Sequence, residues 1–433
     1  MKKIGISLLL ILLLNIALYA DKVKYVFLFI GDGMSASSEF ALSKFLYGKE
    51  KSLFWNSFPI QTYMTTWSLS SYQGNYDKNN FDAEKGYDSS VAGTVPYPYY
   101  ESKKAEDYFK KSLATDSAAA ATAMATGKKV YNTTICYDKE NENNIPNIVD
   151  KINEKKEYNV ALITTDKFYS ATPAGFSSHN VYRKNYKEIA SEILSKTKPE
   201  IIVGQNKFEE INTLAQLKGY YCLDSYEINE PQVFSLTNKK LFLKLKKYNV
   251  PQPIEDFSFE SFEYRNTNNK FSDIVLSATK ILLDKKKPFF ALVEVCDIDK
   301  ANHKHIYEKM LGGMYELNET VKGIYDLINS KTTDMTFDNT IIIVTADHST
   351  GMLRFKENLG KGDIPFTYVT KKNNVTIITN RTISYKTDWH TNELVGCYCV
   401  GAKSDIFKKY INEKNIMDNT AIYNILNEIM INN

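Results

Sequence analysis

Six runs of nearly unbroken Val, Ile, Leu and Phe constrain this chain more than any other feature: residues 26–30, 160–164, 201–203, 289–295, 341–345 and 394–400. A strand with one wet face alternates apolar and polar side chains. A continuous apolar strand is covered on both faces, as in parallel sheets flanked by helices. Between the runs lie stretches with helical character, among them 35–47, 117–126, 309–328 and 421–430. Strands alternating with helices predict an α/β fold on a largely parallel sheet, and 433 residues can bury such a core. Residues 68–111 are rich in Tyr, Asn, Asp and Gly, and residues 205–270 mix short apolar runs with Lys, Asn and Pro. Both stretches break the alternation. With no Pro- or Gly-rich linker and no repeat, we expect one domain over residues 21–433 with insertions near 68–111 and 205–270, segments long enough to act as lids.

The first 20 residues have a different character. Lys2 and Lys3 precede an apolar run from Ile4 to about Leu18, and the small Ala20 follows. That is the pattern of a signal peptide over 1–20, so the chain is expected to be exported, periplasmic or secreted. The run falls short of the roughly 20 residues a bilayer span needs, and no second such run follows. A net charge of +3 gives no electrostatic reason to expect nucleic acid or an anionic membrane as partner. The five cysteines, Cys136, Cys222, Cys296, Cys397 and Cys399, are an odd number, which leaves at least one thiol free or paired between chains. Cys397 and Cys399 are expected to be same-face neighbours on one strand, a poor geometry for a disulfide. No C-x-x-C spacing supports a thiolate metal site.

Sites in parallel sheets form at the carboxyl ends of strands, and residues able to do chemistry gather there in this chain. The run 26–30 leads into Gly31-Asp32-Gly33, a carboxylate in a tight turn that either shapes the turn or approaches a ligand. Asp116-Ser117-Ala118 opens an Ala-rich helix. Either residue can cap that helix, and a helix N-terminus equally suits a phosphate or a forming alkoxide beside Ser117. Ser170-Ala171-Thr172-Pro173 follows the run 160–164, and Arg183 beyond it has the fork that clamps two phosphate oxygens. Glu294 is a charge inside an apolar strand, costly unless paired or bound to a metal. Asp299 and His303, four apart, share one helix face with donor types that suit zinc; His305, two residues on, points elsewhere. Asp347-His348 directly follows the run 341–345, and Asp388-Trp389-His390-Thr391 precedes the run 394–400. Of the five His in the chain, three fall at these loop ends, which favours metal over scattered structural roles.

Taken in order, Gly31-Asp32-Gly33, Asp116-Ser117-Ala118, Ala171-Thr172-Pro173, Arg183, Glu294 with Asp299 and His303, Asp347-His348 and His390-Thr391 resemble the alkaline phosphatase family. The resemblance implies a three-layer α/β/α sandwich with a mostly parallel mixed sheet, and hydrolysis of small phosphate monoesters through a phosphoserine at Ser117. It implies that Arg183 binds the non-bridging oxygens. It implies one zinc on Asp299, His303 and His390, a second on Asp32, Asp347 and His348, and a magnesium on Asp32, Thr172 and Glu294. Members are often homodimers. Lys300 retains a lysine of some members, either to contact phosphate directly or through water, or as a surface residue. Two residues before Thr172 members carry Asp or His, whereas this chain has Ser170. The missing charge implies weaker magnesium binding, or another metal. A phosphodiesterase of the same superfamily is the nearest rival, disfavoured because Arg183 takes the space of a second ester group. A non-catalytic metal or phosphate binder is the rival from another class.

Overall fold

The computed structural model describes residues 23–432 except 78–79, 100, 112–113, 225–226, 229–235, 237, 247, 254–261, 264–269, 366, 373–374 and 381. The expected signal peptide, and parts of both expected insertions, lie outside the described residues.

All six apolar runs form strands of one ten-stranded sheet. In chain order the strands are β1 (Tyr25–Gly31), β2 (Ile60–Thr65), β3 (Asn159–Lys167), β4 (Ile201–Gln205), β5 (Tyr220–Asp224), β6 (Lys240–Lys244), β7 (Phe289–Val295), β8 (Thr340–Thr345), β9 (Val395–Gly401) and β10 (Ile416–Asp418). Their order across the sheet is β10-β2-β9-β8-β1-β7-β3-β4-β6-β5. β9 pairs antiparallel with both neighbours, and every other pairing is parallel. β1, β7 and β8 are buried along their whole length, as their composition requires.

Two groups of helices cover the sheet. One contains α1 (Ala36–Tyr47), α4 (Phe271–Asp284), α5 (Asp297–His303) and α6 (Tyr307–Asn329). The other contains α2 (Ser117–Thr126), α3 (Ala171–Ser177) and α7 (Thr420–Met430). α2 and α3 pack closely because their facing residues are small: a Cβ added to Gly175 would lie 2.6 Å from the Ala121 Cβ. The three-layer sandwich is therefore as expected.

Four strands were not foreseen. β2 and β10 form one edge of the sheet, and β6 and β5 form the other. Residues 205–270, expected as an insertion, thus supply two sheet strands. The five cysteines are all free, and Cys397 and Cys399 are buried in β9. Among the described residues, no helix is long and apolar enough to cross a membrane.

Register places the site. Thr345, Ile30, Glu294 and Thr164 form one row across β8, β1, β7 and β3. Asp32, Asp347 and Asp299 follow those strand ends. Because β9 runs the other way, the residues before it, including His390, reach the same edge.

Candidate active site

Asp116, not Ser117, caps α2, with its Oδ1 accepting from the Ala119 N–H at 3.0 Å. Its other oxygen takes Arg183 Nη1 at 2.9 Å. Ser117 is left as the first helical residue, buried, with Oγ 3.1 Å from His348 Nε2. The capping and functional roles that competed in the sequence are therefore divided between adjacent residues.

The histidines share one orientation. His390 Nδ1 lies 2.8 Å from the Thr115 carbonyl, and His303 Nδ1 bonds the Asp388 carbonyl. A carbonyl only accepts, so both rings carry their proton on Nδ1. His348 Nδ1 lies 3.3 Å from Thr350 Oγ1, which donates its own proton to Asp299 Oδ1 at 2.6 Å. That hydroxyl must accept from His348, so this ring is protonated on Nδ1 as well. Each ring therefore turns a bare Nε2 inward, the arrangement of metal-ligating imidazoles. His303 and His390 face each other Nε2 to Nε2 at 3.1 Å, with Asp299 Oδ1 3.3 Å and 3.6 Å away. The His348 and His390 rings stack at 3.6 Å.

The carboxylates tell the same story. His348 Nε2 lies 3.2 Å from Asp347 Oδ2 and 3.7 Å from Asp32 Oδ1, yet neither buried oxygen receives a hydrogen bond. Burial first, then Asp347, Asp299 and Glu294, push the Asp32 carboxyl well above its usual range. Burial and the Asp299 charge take Asp347 up to about 8. Burial raises Glu294 to about 7 against the hydroxyls of Thr164 and Thr172, which favour its charged form. Burial, reinforced by His390, His303 and Arg183, holds His348 well below the usual imidazole value. Crowded acids and bare nitrogens turned toward one another call for divalent cations.

Two overlapping groups have ligand atoms close enough for one ion each: Asp32, Asp347 and His348, and Asp299, His348 and His390. The first is the set expected for one zinc. The other expected set, Asp299, His303 and His390, also has its ligand atoms 3.1–3.6 Å apart, and His348 lies against it. Thr172, buried on α3, lies beside Glu294 on the flank expected for magnesium. Lys300 bonds Cys296 Sγ at 2.9 Å and pairs with Asp166 at 3.2 Å. Asp166, a residue the sequence did not single out, thus provides a carboxylate on the flank where Ser170 lacks one. His305 stacks on Tyr385 and bonds the Thr387 carbonyl, apart from the cluster.

A second buried charge network stands behind the ligand loops. Arg354, 2% exposed, binds Glu101 through Nε at 2.6 Å and Nη2 at 2.7 Å, and Nη2 also reaches Glu393 at 2.6 Å. The other Glu393 oxygen accepts from Ser349 Oγ at 2.8 Å and Thr391 Oγ1 at 2.6 Å. Ser349 follows His348, Thr391 follows His390, and the two pair in a short ribbon. Glu393 thereby ties both ligand loops together. The sequence offered only a faint signal, an acid three residues past His390.

Comparison with known proteins agrees with this architecture. The sequence profile of the alkaline phosphatase family matches residues 23–213 and 255–394. Alkaline phosphatase 4 of Bacillus subtilis is 30% identical over 242 residues, 55% of this chain and 50% of that protein. Alkaline phosphatase H of Pseudomonas aeruginosa is 25% identical over 324 residues, 64% of this chain and 65% of its own. The chain spans about half the length of the Bacillus relative it matches. Among solved structures, the alkaline phosphatase of a Shewanella species shares the fold with a TM-score of 0.66 at 19% identity, over 94% of this chain and 99% of its own. That of the Antarctic bacterium TAB5 gives 0.64 at 18%, over 94% and 98%. With the profile matched along most of its length, the chain belongs to the alkaline phosphatase family.

Proposed function

We propose that this protein hydrolyses phosphate monoesters through a phosphoserine at Ser117. The observation that carries the proposal is that the Ser117 hydroxyl lies against Nε2 of His348, the residue shared by two groups of ligand atoms that include the unbonded Asp32 and Asp347 oxygens. In this reading Asp299, His303 and His390 hold one zinc, Asp32, Asp347 and His348 hold another, and Asp32, Thr172 and Glu294 hold a magnesium. Bound there, the cations would neutralise the phosphate and favour both the Ser117 alkoxide and the leaving alkoxide.

The chain's own residues do the rest. The Asp116 cap fixes the start of α2, so Ser117 Oγ is presented at the positive end of a helix. Arg183, tethered to Asp116, offers its fork to two non-bridging oxygens. Ser117 Oγ attacks phosphorus as the bond to the ester oxygen breaks, and the leaving group takes up a proton as the alcohol. Water then attacks the phosphoserine, releasing inorganic phosphate and restoring the hydroxyl. Lys300, held by Asp166 on the Glu294 flank, is placed to contact phosphate directly or through water. The charged and apolar first 20 residues support export, and residues 21–433 act as one catalytic unit.

Two measurements test this. Ser117→Ala should lower turnover of p-nitrophenyl phosphate at least about 10³-fold while metal stays bound; undiminished turnover would remove Ser117 from the reaction. Wild-type protein should cleave that monoester faster than bis-p-nitrophenyl phosphate, and the reverse order would favour a phosphodiesterase.

A further inference from the structure

Trp389 is 74% exposed, whereas the two other tryptophans, Trp55 and Trp67, are buried. The loop that carries it is pinned rather than loose. The Trp389 carbonyl accepts from Gly351 N–H at 3.0 Å, its own N–H donates to Thr387 Oγ1 at 3.2 Å, and Lys386 N–H bonds the Gly351 carbonyl at 3.1 Å. Asp388, just before it, gives its carbonyl to His303. A stiff backbone therefore thrusts the largest apolar side chain into water, immediately before His390. The indole lies perpendicular to the His303 ring at 6.3 Å, so it walls the outer side of the Asp299, His303 and His390 group.

In-line transfer puts the leaving oxygen opposite the attacking one. Ser117 touches His348, so the departing oxygen faces Asp299, His303 and His390, and whatever it carries emerges beside Trp389. We propose that Trp389 is a stacking platform for the leaving group, and that the preferred substrates are monoesters with a planar aromatic or heteroaromatic part, such as nucleoside monophosphates. The inference rests on the monoesterase reading and deepens it. An indole offers such a ring a large flat face with little rotamer entropy to lose, whereas a glycerol moiety gains almost nothing from it.

The test compares Trp389→Ala with the wild type on adenosine 5′-monophosphate and on glycerol 3-phosphate. KM for the nucleotide should rise about tenfold, the range expected for one stacked base, with kcat within about twofold. KM for glycerol phosphate should stay within about twofold, and Trp389→Phe should recover most of the loss. In the wild type, the nucleotide should quench the fluorescence of this exposed tryptophan and glycerol phosphate should not. Equal effects on both esters, or none on the nucleotide, would overturn the platform while leaving the phosphatase intact. So would a change of oligomeric state in Trp389→Ala with both KM values unchanged. Wild-type protein that cleaves neither ester would overturn both the platform and the monoesterase.

Discussion

Two buried clusters of charge lie within one short ribbon of each other and are built on opposite plans. Around Arg354 every strong donor and acceptor is matched: Glu101 takes two nitrogens, and Glu393 takes a third contact together with the Ser349 and Thr391 hydroxyls. Burial raises the Glu393 carboxyl, and Arg354 together with the Thr391 and Ser349 hydroxyls more than offsets this, so it ends below its usual value. Around His348 the acids crowd one another, the pKa values of Asp32 and Asp347 rise, and lone pairs face lone pairs. A self-satisfied network stiffens a scaffold, whereas an unsatisfied one keeps its energy for what it binds.

The contrast is broken most directly at Arg354. Arg354→Met leaves the buried Glu393 and the partly buried Glu101 without their cation and should lower stability by about 3–5 kcal/mol, read from urea denaturation. Asp347→Asn, measured without metal at pH 9, should have the opposite sign and raise stability by at least about 1 kcal/mol, because it removes a charge its surroundings oppose. The same sign for both variants would erase the distinction.

A second expectation sharpens the contrast. Zinc at about 1,000 times its dissociation constant should stabilise the metal-free protein by about 4 kcal/mol, a rise of about 5 °C in Tm by calorimetry for a chain this long. Arg354→Met should lower both forms without changing that increment, and chelation should abolish turnover.

The smallest effect concerns His179, a satisfied pair on a minor scale. Its ring lies 3.1 Å from both Asp150 and Glu192. Burial opposes its charge, but those two partners raise its pKa to about 9. A raised value means the contribution is complete below the unfolded value of about 6.5 and disappears as pH climbs through about 9. His179→Asn should therefore cost about 1–2 kcal/mol at pH 6, allowing for solvent screening, and almost nothing at pH 10. Equal losses at both values would show that the ring acts by packing alone.

What the sequence disclosed follows burial. Strands covered on both faces, such as Phe289–Val295, announce themselves by composition. The strands next to the sheet's two edges do not: Ile60–Thr65 alternates buried and exposed side chains, and Lys240–Lys244 carries lysines at both ends. Ligand candidates were legible because acids and imidazoles beside apolar runs are conspicuous. The groups that aim them were not. His390 is oriented by the carbonyl of Thr115, 275 positions away, and a carbonyl has no residue identity to read. Glu101, which anchors Arg354 from 253 positions upstream, resembled any polar residue of a Tyr-rich loop.

The tight seating of α2 on α3 has a consequence for how the reacting oxygen can be tuned. Ala121 lies one helical turn beyond Ser117, roughly 6 Å along the axis, and it meets Gly175 with no room for a single methyl group. Any bulk added at 175 pushes on a rigid rod whose far tip is the attacking atom. Reactivity can thus be detuned by tenths of an ångström from a position that never touches substrate.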